Sequence, residues 1–224
     1  MTFQIDTEIR SFQELPGLAE RSGKMVLLVR HSYRKSLQEG TLDPGLTEEG
    51  WAYAKECGSF LRGLKDVCYG ASSRTRTVQT IQALMEGGSL EPGEIREVPG
   101  ICDTALFEYP EALEESIVDG SLPEKLRQYY FTGKAETVID LPVFHKKLMD
   151  FLMQTEFEKK NVILASHDII IASLLLPLKI YPFTQSDWCG YIQGILLCQS
   201  ADGNWTASYV VPDKENRKIT RLFI

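Results

Sequence analysis

The chain has 224 residues, 43% apolar, 25% charged and 10% aromatic, the composition of a globular protein and not of a disordered, fibrous or collagen-like one. At this length roughly 70% of the unfolded chain's surface is buried on folding, so one domain needs neither disulfide nor metal for a stable core. The balance of 24 basic against 31 acidic residues, a net charge of −7, argues against nucleic acid or an anionic membrane as partner, and an anionic ligand would have to be gripped by a local arginine cluster.

Met1 to Ser22 are polar and acidic where a secretory signal needs a basic start and an apolar stretch, and no apolar run approaches a membrane span. Residues 25–29 form a continuous apolar run of strand length, and 162–166 form another, as expected for strands buried on both faces. Between them the sequence predicts a helix from Glu48 to Leu61 with Thr47 as N-cap, a short strand around Val67 to Tyr69, and a helix from about Thr75 to Met85. The segment 86–141 is rich in Gly, Pro and acids, with a helical stretch near Glu111 to Tyr130. It reads as an insertion that covers the mouth of a site.

A helix from about Val143 to Gln154 leads to the second buried strand, and another begins near Ile169 and ends at Pro177. Tyr191 to Leu197 and Trp205 to Val211 flank Asp202-Gly203-Asn204 as an antiparallel hairpin. This order predicts an α/β fold, a three-layer sandwich with a mostly parallel central sheet, as a single domain over 1–224. The five cysteines, Cys57, Cys68, Cys102, Cys189 and Cys198, are odd in number and widely spaced, with no zinc-ligand pattern, which suits free thiols in a reducing cytoplasmic setting.

Of the three histidines, His31 and His167 lie at the carboxyl ends of the two strongest strand candidates, where open α/β sheets place ligand-binding residues. His145, beside Lys146 and Lys147, reads as solvated surface. Arg30 and Arg34 flank His31, and planar guanidinium forks match phosphate or carboxylate oxygens and stay charged at any working pH. Ser72 to Thr80 follows a strand and opens a helix, a second place where N–H groups and arginines meet an anion.

Four motifs in order resemble those of the histidine phosphatase superfamily, which also contains the cofactor-dependent phosphoglycerate mutases. Leu28-Val29-Arg30-His31-Ser32 is similar to the family's strand-end Arg-His-Gly, and Leu46-Thr47-Glu48-Glu49-Gly50 to its Leu-Thr-x-x-Gly helix start. Ser72 to Thr80 resembles Ser-x-x-x-Arg-x-x-Gln-Thr, with Arg76 rather than Arg74 as the phosphate-binding arginine, and Ala165-Ser166-His167-Asp168 resembles the second histidine motif. Ser32 departs from the usual Gly. Arg34 and the His167-Asp168 pair agree with the acid-phosphatase branch, whereas the short chain and the Leu-Thr-x-x-Gly start agree with the mutase-like branch.

The resemblance implies a phosphoglycerate mutase-like sandwich and phosphoryl transfer through a phosphohistidine on His31, with no metal and no other cofactor. Arg30, Arg76 and His167, joined by Arg34, would bind the phosphoryl oxygens. The acid for the leaving oxygen is Asp168 by preference, with N-cap as that residue's alternative role, or else Glu97, Asp103 or Glu108. The expected activity is metal-independent hydrolysis of a small phosphate ester. A mutase-type phosphotransferase and a silent phospho-ligand binding module are the alternatives. Phe107, Tyr109, Tyr129 and Tyr130 are candidate contacts for the substrate's body, and Trp188 and Tyr191 candidate interface anchors.

Overall fold

The computed structural model describes residues 3–36, 43–181, 184, 186–218 and 220. Its centre is β2 (Lys24–Arg30), whose alternate side chains are buried on opposite faces. Val26 and Leu28 pack into one core and Met25, Leu27 and Val29 into the other. Burial on both faces is what makes this strand read as one unbroken apolar run. β5 (Asn161–Ser166) is its parallel neighbour and is buried along its whole length for the same reason.

The sheet has seven strands in the order β1-β7-β6-β2-β5-β3-β4. β1 (Phe3–Ser11) and β4 (Ile95–Glu97) form the edges, and β3 (Val67–Ala71) lies between β4 and β5. β6 (Gly194–Gln199) and β7 (Trp205–Val211) are the expected antiparallel hairpin, and β6 also pairs antiparallel with β2. The remaining pairings, β1 with β7, β2 with β5, β5 with β3 and β3 with β4, are parallel, so the sheet is mixed but mostly parallel.

One face carries α1 (Leu15–Arg21), α2 (Glu48–Ser59) and α3 (Thr75–Gly88). The other carries α4 (Glu111–Val118), α5 (Leu122–Thr132), α6 (Leu141–Gln154) and α7 (Asp168–Leu178). Thr47 caps α2 as expected, its Oγ1 accepting from the Gly50 N–H at 2.9 Å. The helical stretch expected near Glu111 to Tyr130 is two helices, because Asp119 and Ser121 flank Gly120 at φ 74° and Pro123 restarts the chain. α7 begins at Asp168 with His167 in the N-cap position, so Asp168 is the first helical residue and not the cap.

β1 and β4 are additions to the elements read from the sequence. His145 is half-buried, and its Nδ1 lies 3.2 Å from the Ser173 carbonyl across the α6–α7 contact, so it is not solvated surface. Trp188 is 3% exposed and is core, not an interface anchor. No helix among the described residues is long and apolar enough to cross a membrane.

Candidate active site

Register assembles the site. Arg30 at the end of β2 pairs with Ser166 at the end of β5, and the next residue, His31, donates its N–H to the Ser166 carbonyl at 2.9 Å. Ala71 of β3 pairs with Ala165, and Ser72 donates to the Ala165 carbonyl at 3.1 Å. Three parallel strands therefore end at one level and deliver His31, His167 and the start of α3 side by side. The two imidazoles meet edge-on with ring centroids 5.5 Å apart.

The remaining motif residues hold this arrangement. The Ser32 N–H donates to Thr80 Oγ1 at 3.0 Å and its Oγ to the Gly50 carbonyl at 2.7 Å, while Gln79 Oε1 accepts from the Leu46 N–H at 2.7 Å. Ser32 is absent from the residues with positive φ, so a side chain stands there without backbone strain. Gly50 must stay bare: a Cβ there would lie 2.1 Å from the Tyr33 carbonyl oxygen, where the loop after β2 abuts α2.

His31 is buried, and its Nδ1 lies 2.6 Å from the Ser32 carbonyl oxygen. A carbonyl only accepts, so Nδ1 carries the proton and Nε2 holds the lone pair. Burial, then the guanidinium charges of Arg76 and Arg30, push the His31 pKa well below the ordinary histidine range. His167 is neutral too: Arg76 Nη2 donates to its Nδ1 at 3.1 Å, and its Nε2 lies 2.8 Å from Ser72 Oγ. Desolvation is the main cause that brings its pKa down to about 3, against the upward pull of Asp103.

The guanidiniums surround these rings. Arg30 is 4% exposed, donates to the Cys189 carbonyl at 2.7 Å, pairs with Asp168 at 3.2 Å and lies 4.3 Å from the centre of the Tyr191 ring. Tyr191 thus braces the Arg30 guanidinium. Arg76 is 7% exposed and donates to Asp103 Oδ2 at 2.9 Å, and Arg74 donates to Asp103 Oδ1 at 3.1 Å. The Nε groups of both Arg30 and Arg76 are buried with no protein partner, which is costly to the fold.

A cavity of about 290 Å³ opens over this floor. Arg30, His31, Arg34, Arg76, His167 and Asp168 all line it, as read from the sequence, and so do Asp103 and Arg74. Arg74 was missed because the motif resemblance assigned the phosphate contact to Arg76 alone. Its partner Asp103 lies far along the chain and leaves no local signal. Glu97 faces a separate cavity with Tyr69 and Phe157 at the β4 edge, and Glu108 is exposed, its N–H donating to the Thr137 carbonyl. The acid candidates in the cavity are therefore Asp103 and Asp168.

The expected aromatic contacts do not line this cavity. Phe107 and Tyr129 are core at 4% and 0% exposure, Tyr130 packs on Trp188, and exposed Tyr109 donates to Glu115. From residues 86–141, Leu113, Glu114, Ile117, Leu122, Pro123 and Leu126 of α4 and α5 line the cavity, as does Asp103. Cys102, Asp103 and His167 bring ligand atoms within 4.8 Å of one another. A cation there would have to displace both guanidiniums from Asp103 and one from His167.

Desolvation raises the Asp103 pKa, but the guanidiniums of Arg76 and Arg74 beside it outweigh it and hold the carboxyl at about 2. The floor thus presents two neutral imidazoles, four guanidiniums and two carboxylates in one cavity, a set suited to a tetrahedral anion.

No curated protein matches the sequence significantly. Several solved structures share the fold. Mycobacterial glucosyl-3-phosphoglycerate phosphatase is 18% identical, with a TM-score of 0.54 over 84% of this chain and 98% of that one. Phosphoglycerate mutase from Bacillus anthracis is 15% identical, with a TM-score of 0.54 over 86% and 95%. A histidine-to-alanine variant of phosphoserine phosphatase from Entamoeba histolytica, in complex with phosphoserine, is 19% identical, with a TM-score of 0.55 over 84% and 98%. The model of the histidine phosphatase superfamily, branch 1, matches residues 26–189, most of the chain and every motif residue of the site. With its paired histidines and arginines gathered at the carboxyl ends of neighbouring strands, the chain belongs to the histidine phosphatase superfamily.

Proposed function

We propose that the protein is a phosphomonoesterase that works through a phosphohistidine on His31. The observation that carries this reading is the hydrogen bond from Nδ1 to the Ser32 carbonyl, which leaves Nε2 as a fixed lone pair in a cavity of guanidiniums. In the first step Nε2 attacks phosphorus in line, the P–N bond forms as the P–O ester bond breaks, and the leaving oxygen takes a proton from a carboxylic acid. In the second, water attacks the phosphohistidine, gives its proton to the same carboxylate, and phosphate departs. Arg30 and Arg76, joined by Arg34 and Arg74, supply the positive charge that metal ions supply in other phosphoryl-transfer enzymes.

Asp103 is the acid in this reading. Its pKa is held down by the same guanidiniums a phosphate dianion occupies. When the dianion takes up their charge, desolvation remains and Asp103 gains a proton, so the acid forms on substrate binding. Asp168, paired with Arg30 and with its side chain 25% exposed, is the second candidate. His167 gains a proton by the same logic and then donates from Nδ1 to a phosphoryl oxygen.

A mutase-type phosphotransferase would use the same phosphohistidine but return the phosphoryl group to a retained intermediate. Phosphatases and a mutase share this fold, so fold alone does not separate them. The helices over the cavity add an acid and no cation to its lining, which favours release over retention of a bisphosphate. A silent binding module would need the arginines but not the free Nε2. Hydrolysis of p-nitrophenyl phosphate in the presence of a chelator tests the reading: His31→Ala should lose about a thousandfold or more with the fold retained, and unchanged turnover refutes it.

A further inference from the structure

The upper wall of the cavity is aliphatic. Leu113 and Ile117 of α4 and Leu122 and Leu126 of α5 lie four residues apart on their helices, so each helix turns one apolar stripe to the cavity, and Ile169 of α7 adds to them. Ile117, Leu122 and Leu126 are only half-buried, so apolar surface is left facing the open space above the arginines. Among the described lining residues there is no Ser, Thr, Asn, Gln or Tyr, and Glu114 is the single charged side chain contributed by α4 and α5.

A polyhydroxylated body, such as a sugar, needs several hydrogen-bond partners to replace its water, and α4 and α5 offer it only the Glu114 carboxylate. An anionic body would meet the Glu114 carboxylate. An apolar body instead buries surface that both partners expose, and the phosphate end meets the guanidiniums of Arg30 and Arg76 that line the floor.

We infer that the substrate is the phosphate monoester of an uncharged, apolar alcohol, its phosphoryl group on the arginine floor and its hydrocarbon body against α4 and α5. This rests on the phosphatase reading above. Arg34 and Arg74 line the same cavity and are cations a substrate carboxylate would compete for, so 3-phosphoglycerate is the decisive competitor.

The test measures kcat/KM for n-alkyl phosphates from ethyl to hexyl, below micelle-forming concentrations, beside glucose 6-phosphate, 3-phosphoglycerate and p-nitrophenyl phosphate. The expected result is a rise of about two- to fourfold per methylene, with hexyl phosphate well ahead of both hydroxylated esters, and a flatter slope in Leu126→Asn. A flat alkyl series, or turnover of either hydroxylated ester matching hexyl phosphate, overturns the substrate class while leaving the phosphatase reading in place. Failure to release phosphate from any ester, p-nitrophenyl phosphate included, overturns both.

Discussion

The rings of His31 and His167 stand edge-on with centroids 5.5 Å apart, although one follows β2 and the other β5. The in-register parallel pairing of those strands sets this distance, and Arg76, donating to His167 Nδ1, fixes the tautomer of the second ring. The site is therefore built by the sheet and tuned by α3.

Asp103 and Asp168 separate by leaving group. An alkoxide must be protonated as it leaves, whereas p-nitrophenolate departs without help. Asp103→Asn should lose about a hundredfold or more in kcat on alkyl phosphates and much less on p-nitrophenyl phosphate, with Asp168→Asn affecting both substrates modestly and alike. The opposite pattern assigns the proton to Asp168.

Arg76 makes a geometric demand that charge alone does not meet. It touches Asp103 and His167 at once while lining the cavity. Arg76→Lys preserves the charge but loses the fork, so the inhibition constant for inorganic phosphate should rise about tenfold or more in steady-state assays. An unchanged constant would show that the phosphate sits elsewhere.

Acid should destabilise the fold early. Burial, first among the causes, puts both His31 and His167 below the ordinary histidine value in the folded protein, His167 at about 3. On acidification the unfolded chain therefore takes up these protons first. The stability given by the neutral rings is full above about pH 6.5 and is lost as pH falls from there towards the folded values, at about 1.4 kcal/mol per pH unit for each ring. Asp103, held at about 2, adds to the loss only below about pH 4. The urea midpoint should drop between pH 7 and pH 5, and less steeply in His167→Asn; a level midpoint in wild type contradicts the assigned neutral states.

Gly50 is a packing requirement rather than a turn. With Tyr33 O at 2.1 Å from the place of its Cβ, Gly50→Ala forces α2 away from the loop that carries His31. A loss of about 1–3 kcal/mol is expected in denaturant titration, together with reduced activity.

The sequence made the centre of the molecule legible and its edges obscure, for one physical reason. β2 and β5 are buried on both faces and appear as apolar runs, and the residues that end them are the histidines. β1 is an edge strand with mixed exposure and a register shift between Asp6 and Arg10, and β4 has only three residues, so neither leaves a periodic signal. Arg30, His31, Arg34, Arg76, His167 and Asp168 were legible because motifs surround them. Arg74 and the choice of Asp103 over Glu97 and Glu108 depend on how α3 meets the chain after β4, a tertiary contact that local sequence does not encode. The aromatics expected at the cavity do not line it because Phe107 and Tyr129, with the size for that role, are placed by that size in the core.

The account turns on His31 as the nucleophile. Acid-labile phosphohistidine survives alkaline quench, so rapid mixing with a phosphorus-labelled ester, alkaline quench and peptide mapping locates any covalent intermediate. The expected result is label on His31 Nε2, absent from His31→Ala and decaying at the rate of phosphate release. Turnover with no labelled protein, or label on any other residue, would contradict it.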